Sequence, residues 1–205
     1  QHNQYLLDDP NRIFDDNESY TVPKFSIDGK LFSERDISLG ESNFLQTLEP
    51  RLFYLLIPNN DFDHIPNFGT GLYDNTTFQN LFLANRFGGH ARVGDANQIT
   101  AAVTTRIIDK QSGRERFRFN IGQIYHFRDR KVTLPGGSIN REDTSELLVE
   151  ATASPWNSIS LRGSLKWDPD KGRADKSGFS IRFQPNLDTV FNLNYRQRKG
   201  RSIFQ

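Results

Sequence analysis

The chain has no cysteine and no methionine among its 205 residues, and only 2 tryptophans. Without cysteine, a disulfide framework, a zinc-thiolate centre and thiol catalysis are excluded within these residues, while the compartment stays open. Long apolar runs are missing too. Hydrophobic residues make up 35%, mean hydropathy is -0.66, and no stretch approaches the roughly 18 apolar residues that a membrane helix needs. A helical membrane protein is excluded. A transmembrane β-barrel is not, because its strands alternate between lipid and lumen and average out as hydrophilic. Nor is there a surplus of one charge sign: 26 Lys and Arg face 25 Asp and Glu, so the basic bias of nucleic-acid binders is lacking and no nucleic-acid partner is expected. With no initiator Met and no signal peptide, the expectation is a processed chain or an excised segment.

What the chain does have is 17 Phe, spaced through polar surroundings. Residues 1–19 are polar without clear period and read as a loop or linker. Residues 20–205 read as about nine antiparallel strands with no helix. Tyr20 to Ile27 and Lys30 to Asp36 flank a hairpin signal at Asp28-Gly29. Asn43 to Ile57 carries Leu48, Leu52, Tyr54 and Leu56 on one parity. From Asn97 to Ile108, Ile99, Ala101, Val103, Thr105 and Ile107 oppose Gln98, Thr100, Thr104 and Arg106. In the next strand Phe117, Phe119, Ile121, Tyr125 and Phe127 oppose Arg116, Arg118, Asn120, His126 and Arg128. The same alternation runs through residues 144–154, 159–167, 179–183 and 191–196.

The links alternate in length: long at 58–94, short at 109–113, long at 129–143, short at 155–157, longer at 168–176 and short at 185–188. Tight periplasmic turns and extended external loops give this pattern, which makes 58–94 an extracellular loop. The Asp28-Gly29 turn breaks the rule, being short on the external side. A soluble β-sandwich that binds carbohydrate through exposed aromatics would also alternate. Strands longer than the usual five or six residues or so, aromatics near strand ends (Tyr125, Phe127, Trp156, Trp167, Tyr195) and mid-strand cations favour a membrane barrel. On pattern alone, the sandwich and another outer-membrane porin or receptor stay open.

Between Thr47 and Val132 lies a linked set of motifs: Leu48-Glu49-Pro50-Arg51-Leu52-Phe53-Tyr54, Ile65-Pro66-Asn67-Phe68, Leu81-Phe82, Asn85-Arg86-Phe87-Gly88-Gly89, Arg92-Val93-Gly94-Asp95-Ala96-Asn97-Gln98 and Gly122-Gln123-Ile124-Tyr125-His126-Phe127. In order and spacing this block resembles the central barrel of the LptD family of lipopolysaccharide-assembly proteins; the rest of the chain agrees only in style. The resemblance implies part of a large closed barrel in the Gram-negative outer membrane. That barrel takes lipopolysaccharide from a periplasmic bridge, holds an LptE-like plug lipoprotein inside, and releases lipopolysaccharide into the outer leaflet. The family's N-terminal periplasmic domain, its cysteines and its first and last strands have no counterpart here, so the chain is expected to be a fragment. It departs from the family where acidic residues are usual, with Gly69 and Ala91 in their place and His90 adjacent.

Arg86, Arg92, Asp95 and Asn97 are candidates for ordering the long loop or meeting a partner. The plainer reading pairs Arg86 with Asp95 to pin the loop. Arg106, Arg116, Arg118, Arg128, Arg162 and Lys166, with Arg182 and Arg196, are candidates to face the lumen, where they either guide a phosphorylated glycolipid or form a solvated wall balanced by Glu146, Glu150 and loop acids. His64, His90 and His126 lack metal-ligand spacing, so no metal is expected. No nucleophile and base pair, phosphate-binding glycine loop or catalytic carboxylate pair is evident, so neither an enzyme nor a cofactor is expected.

Overall fold

The structure, a computed structural model, describes residues 2–6, 17–40, 42–62, 65–73, 77–89, 91–198 and 201–204. Its strands are β1 (His2–Leu6), β2 (Asn17–Thr21), β3 (Phe25–Lys30), β4 (Ser33–Leu39), β5 (Ser42–Ile57), β6 (Ala96–Asp109), β7 (Glu115–His126), β8 (Leu147–Ala153), β9 (Ile159–Asp168), β10 (Arg173–Phe183), β11 (Phe191–Arg198) and β12 (Arg201–Phe204). The one helical element among the described residues is a 3-10 turn at Phe78–Phe82, and no described helix is long and apolar enough to cross a membrane. Strands β3 to β12 form one ten-stranded antiparallel sheet. From β5 onward each strand pairs with its sequence neighbours. The sheet is not closed: among the described residues, β12 and the β3–β4 edge each pair on one side only.

Three expectations change. Asp28-Gly29 is not a hairpin turn but lies inside β3. Both β3 and β4 pair with β5 in one continuous register, Lys30 facing Arg51 and Ser33 facing Leu48. They are one strand interrupted at Leu31-Phe32, opposite Pro50. The Leu31 N–H reaches the Pro50 carbonyl at 3.0 Å, but proline has no N–H to return to Leu31, so the ladder lapses there. Asp28 spends its carboxylate on Arg51, at 2.5 and 2.9 Å, rather than on a turn. The chain reverses after Gly40, which supplies φ +63° between the paired Leu39 and Ser42. Residues 1–19, read as loop or linker, contribute His2–Leu6 to a ribbon with β2. With β12, this raises the strand count above the expected nine.

The corrected hairpin restores a consistent order at one end of the sheet, where the links at 40–41 and 110–114 are short while 58–95 and 127–146 at the other end are long. Further along the rule lapses, because 169–172 is shorter than 184–190.

Cross-strand register sorts the side chains into two faces. On one lie Leu48, Leu52 and Tyr54 of β5, Ile99, Ala101 and Val103 of β6, Phe119 and Ile121 of β7, Val149 and Ala151 of β8, Leu161 and Leu165 of β9, Phe179 and Ile181 of β10, and Leu193 and Tyr195 of β11. This outer face is largely apolar from β5 to β11, and no described segment covers it as the second layer of a sandwich would. Aromatics gather at both of its ends. Phe25, Tyr54, Tyr125 and Phe127 form a chain of ring contacts at 5.1 to 6.5 Å on the long-loop side, and Phe183 stacks on Phe191 at 6.2 Å on the other. The inner face carries Thr47, Glu49, Thr100, Thr104, Arg106, Arg118, Asn120, Glu150, Arg162 and Lys166. Thr100 on the inner face is 0% exposed, while Phe191 on the outer face is 62% exposed.

Candidate functional site

Thr100 is buried because the described residues of the segment 58–95 fold back over the inner face of β5 to β8. The 3-10 turn seats Leu81, Phe78 and Phe82 against Ile124 and Leu148, over a saddle made by Ala102 and Gly122. A Cβ on Gly122 would lie 2.9 Å from Leu81 Cδ1 and 3.1 Å from a Phe78 ring carbon, so the turn sits where only glycine leaves room. Two polar contacts fix it. The Thr100 hydroxyl donates to the Leu81 carbonyl at 3.0 Å, and the Phe78 N–H donates to the Glu150 carboxylate at 2.9 Å. The Arg51 guanidinium lies 3.7 Å from the centre of the Phe82 ring, a cation-π contact. Farther along, Tyr20, Val22, Phe62, Ile65, Phe87 and Val93 pack on Phe53, Leu55 and Ile57 as the main core.

The loop ends on a tie between Arg86 and Asp95. Arg86 Nη2 donates to Asp95 Oδ1 at 2.8 Å and to the Val132 carbonyl at 2.5 Å, and Nη1 donates to the Asp95 carbonyl at 2.5 Å. The Asp95 carboxylate also accepts the N–H groups of Lys131 at 2.9 Å and Val132 at 3.0 Å. One charged pair thereby joins the 58–95 and 127–146 loops. Burial works to raise the Asp95 pKa, but Arg86 and the two backbone donors outweigh it and hold the carboxyl below its ordinary value. The Gly94 Cα faces this guanidinium closely enough that a Cβ would lie 2.5 Å from Nη1.

Of the four loop candidates, Arg86 and Asp95 are thus brought together. Arg92 is buried nearby at 4% exposure, its Nε without a hydrogen-bond partner among the described residues, and its carbonyl accepts Asn85 Nδ2 at 2.9 Å. Asn97 is separate: it sits in β6 opposite Leu56 and accepts the Tyr54 hydroxyl at 3.0 Å. Sequence reasoning singled out neither Asn85 nor Glu49 as a site residue. Asn85 Oδ1 also takes the N–H groups of Phe87 and Gly94, making it the internal brace of the loop. Of the histidines considered for metal, His64 and His90 lie outside the described residues, and His126 ends β7.

The candidate cations divide in the same way. Arg106 and Arg118 share the inner face with Glu49 and Glu115: Arg106 Nε is 3.1 Å from Glu49, Lys30 Nζ is 2.6 Å from Glu49, and Arg118 is 2.7 Å from Glu115. Glu49 is the hub, 2% exposed. Lys166 pairs with Glu146 at 2.9 Å, whereas Glu150 goes to the loop. Arg116 does not join this group. The register skips it at a bulge, Ile107 facing Phe117 and Ile108 facing Glu115, and its guanidinium pairs with Asp109 at 3.0 Å at the hairpin end. Arg128 lies beyond β7 and caps the carbonyls of Ile57 and Ala96. Arg162 stands on the open part of the inner face with Ser164, Ser180, Asn194 and Arg196, which the loop does not reach.

The family profile described as LPS transport system D matches residues 1–205. The LPS-assembly protein LptD of Nitrosococcus oceani is 39% identical over 96% of the chain and 27% of its own length. That of Pseudomonas putida is 40% identical over 90% of the chain and 20% of its length, and that of Aromatoleum aromaticum 37% over 95% and 25%. The chain therefore spans about a quarter of the length of these relatives. A profile match along the whole chain, joined to an antiparallel sheet whose motif-bearing loop lies on the polar face, establishes that the chain belongs to the LptD family.

Proposed function

We propose that this chain is a wall segment of a transmembrane β-barrel in the Gram-negative outer membrane, and that the barrel assembles lipopolysaccharide into the outer leaflet without covalent chemistry. The observation that carries the reading is the inverted amphipathicity of the sheet, apolar and uncovered outside and polar inside, in a chain of this family. Outward apolar bands flanked by aromatics suit lipid, and a polar interior suits a water-filled lumen. In this reading the 58–95 and 127–146 loops are extracellular. The open inner face of β9 to β11 then receives an LptE-like plug lipoprotein or passing lipopolysaccharide, and a periplasmic bridge component delivers substrate elsewhere on the protein. Unpaired edges cannot face lipid, so β12 and the β3–β4 edge pair with further strands of the barrel.

No cysteine lies within these residues, so a thiol introduced here is read as the difference in labelling from the unsubstituted intact protein. In the intact membrane-inserted protein, Cys at Val103, Ile121 or Leu193 is expected to resist a water-soluble maleimide and to place a fluorophore within reach of brominated lipid quenchers. With the plug partner removed, Cys at Ser164 or Asn194 is expected to react readily and escape quenching. Equal reactivity on both faces would refute the barrel wall.

A further inference from the structure

Between the two long loops and the inner face lies a cavity of about 200 Å³ whose walls include Arg86, Gln98, His126, Arg130 and Asn140. Two of its wall residues carry polar atoms with no hydrogen-bond partner among the described residues, His126 Nδ1 and Arg130 Nη1. Both residues are more than nine-tenths buried, at 8% and 7% exposure. Arg130 Nη2 is engaged, donating to Asn140 Oδ1 and to the Glu142 carbonyl. Of the carboxylates in the wall, Glu146 lies 2.9 Å from Lys166, and Glu142 lies 3.6 Å from Lys171, which Asp168 also holds; neither forms an ion pair with Arg130 among the described residues. Asp95 serves Arg86.

Arg130 is thus a buried guanidinium with no carboxylate partner among the described residues, a costly arrangement unless a counter-charge completes it. Burial, and then the neighbouring Arg86 charge, lower the Arg130 pKa from its ordinary value against the pull of Glu142 and Asp95. The cavity is several times the roughly 30 Å³ share of one water. A planar guanidinium edge, joined by the His126 imidazole in its Nδ1–H tautomer, offers donors suited to a tetrahedral oxyanion.

We propose that this cavity is a phosphoryl-binding subsite in which Arg130 and His126 hold the oxygens of a phosphate monoester or of inorganic phosphate. A glycolipid source for that group rests on the function proposed above; the anion site itself does not.

The test uses the intact protein in neutral detergent, with inorganic phosphate as the probe and its ³¹P linewidth as the readout. Wild type is expected to show saturable broadening. Arg130→Gln is expected to bind roughly 10- to 100-fold more weakly, the loss of a charge-assisted bond. His126→Gln, which keeps a donor, is expected to weaken binding less. Arg141→Gln, an exposed arginine of the same loop, should change nothing. Each variant is first checked for native heat-modifiable migration, and Arg130→Lys, which keeps the charge, serves if Arg130→Gln does not fold. Absence of saturable binding, or equal binding by wild type and Arg130→Gln, overturns the site. Competition then identifies the source. Displacement by lipopolysaccharide carrying core phosphates, and not by its phosphatase-treated form, assigns the glycolipid; no displacement by either leaves inorganic phosphate. Displacement by both removes the phosphoryl requirement and overturns the proposal. Thiol accessibility decides the barrel reading independently.

Discussion

Replacing Asp95 with Ala should release the loop tie, and the structure indicates by how much. The carboxylate is 1% exposed and the Arg86 side chain 23% exposed, so the pair is little screened by solvent. Its removal leaves a mostly buried guanidinium with only carbonyl partners and strands the Lys131 and Val132 N–H groups. Breaking a buried pair from one side costs about 3–5 kcal/mol. These terms overlap and are not additive with the roughly 1–3 kcal/mol for each unmet buried donor. Taking the lower end, the open population of the loop should rise about a hundredfold. Trypsin reads this directly, because Arg92 is nearly inaccessible in the closed loop and its bond to Val93 can be cut only after opening. Asp95→Ala should therefore be nicked after Arg92 about a hundredfold faster than wild type, and Asp95→Asn, which keeps one acceptor, at an intermediate rate. Cleavage within about twofold of wild type in the Ala variant would show that the tie does not hold the loop.

The pH dependence has a definite sign. The folded pKa of Asp95 lies below its unfolded value near 3.8, so its contribution is fully present above that value. It is lost as pH falls through the depressed folded value. Acid-resistant cleavage kinetics with a protease active at low pH should show this limb in wild type and lack it in Asp95→Asn.

Two further outcomes follow from packing. Gly122→Val puts a branched side chain against Leu81, Ala102 and Phe78 at 2.9 to 3.1 Å and should cost about 1–3 kcal/mol. The expected sign is a lower urea midpoint together with exposure of the 3-10 turn to hydrogen exchange, while a wild-type midpoint would mean that the turn does not rest on this saddle. Ile121→Lys places a charge mid-strand on the outer face between Val103 and Val149. If that face meets the bilayer midplane, folding into lipid vesicles should weaken by about 2–4 kcal/mol, and a neutral result would count against the membrane.

The strand array was legible because period-two alternation needs only local sequence, and it survives from β6 to β11 with few breaks. What was not legible depends on partners distant in the chain. Arg86 meets Val132 across a separation of 46 residues, and Glu49 meets Arg106 across 57. No local pattern encodes such contacts, although Arg86 and Asp95 themselves were recognisable as a pair. Asp28-Gly29 misled for a related reason: a strong turn dipeptide yields when its aspartate is captured by Arg51 and a neighbouring strand supplies a ladder. Arg116 misled because a bulge shifts parity by one residue, which alternation by itself cannot detect.

One signal for the loop's resting place was nevertheless present. Along β5 the outer parity is apolar at Leu48, Leu52, Tyr54 and Leu56, but from residue 52 onward Phe53, Leu55 and Ile57 are apolar too, so alternation stops and a continuous run begins. A strand that loses alternation is covered on both sides. If one side of β5 meets lipid, the other must meet protein, and on an inner face otherwise made of Thr, Glu and Arg that protein has to come from elsewhere in the chain. Ala102, Gly122, Ile124 and Leu148 interrupt the polar parity of β6, β7 and β8 in the same neighbourhood, and all four are buried. These breaks trace the footprint of the 58–95 segment on the sheet. They end before β9, where Arg162, Ser164 and Lys166 resume the polar row, so the boundary between the loop-covered and open parts of the inner face is written in the failure of the alternation that defines the strands.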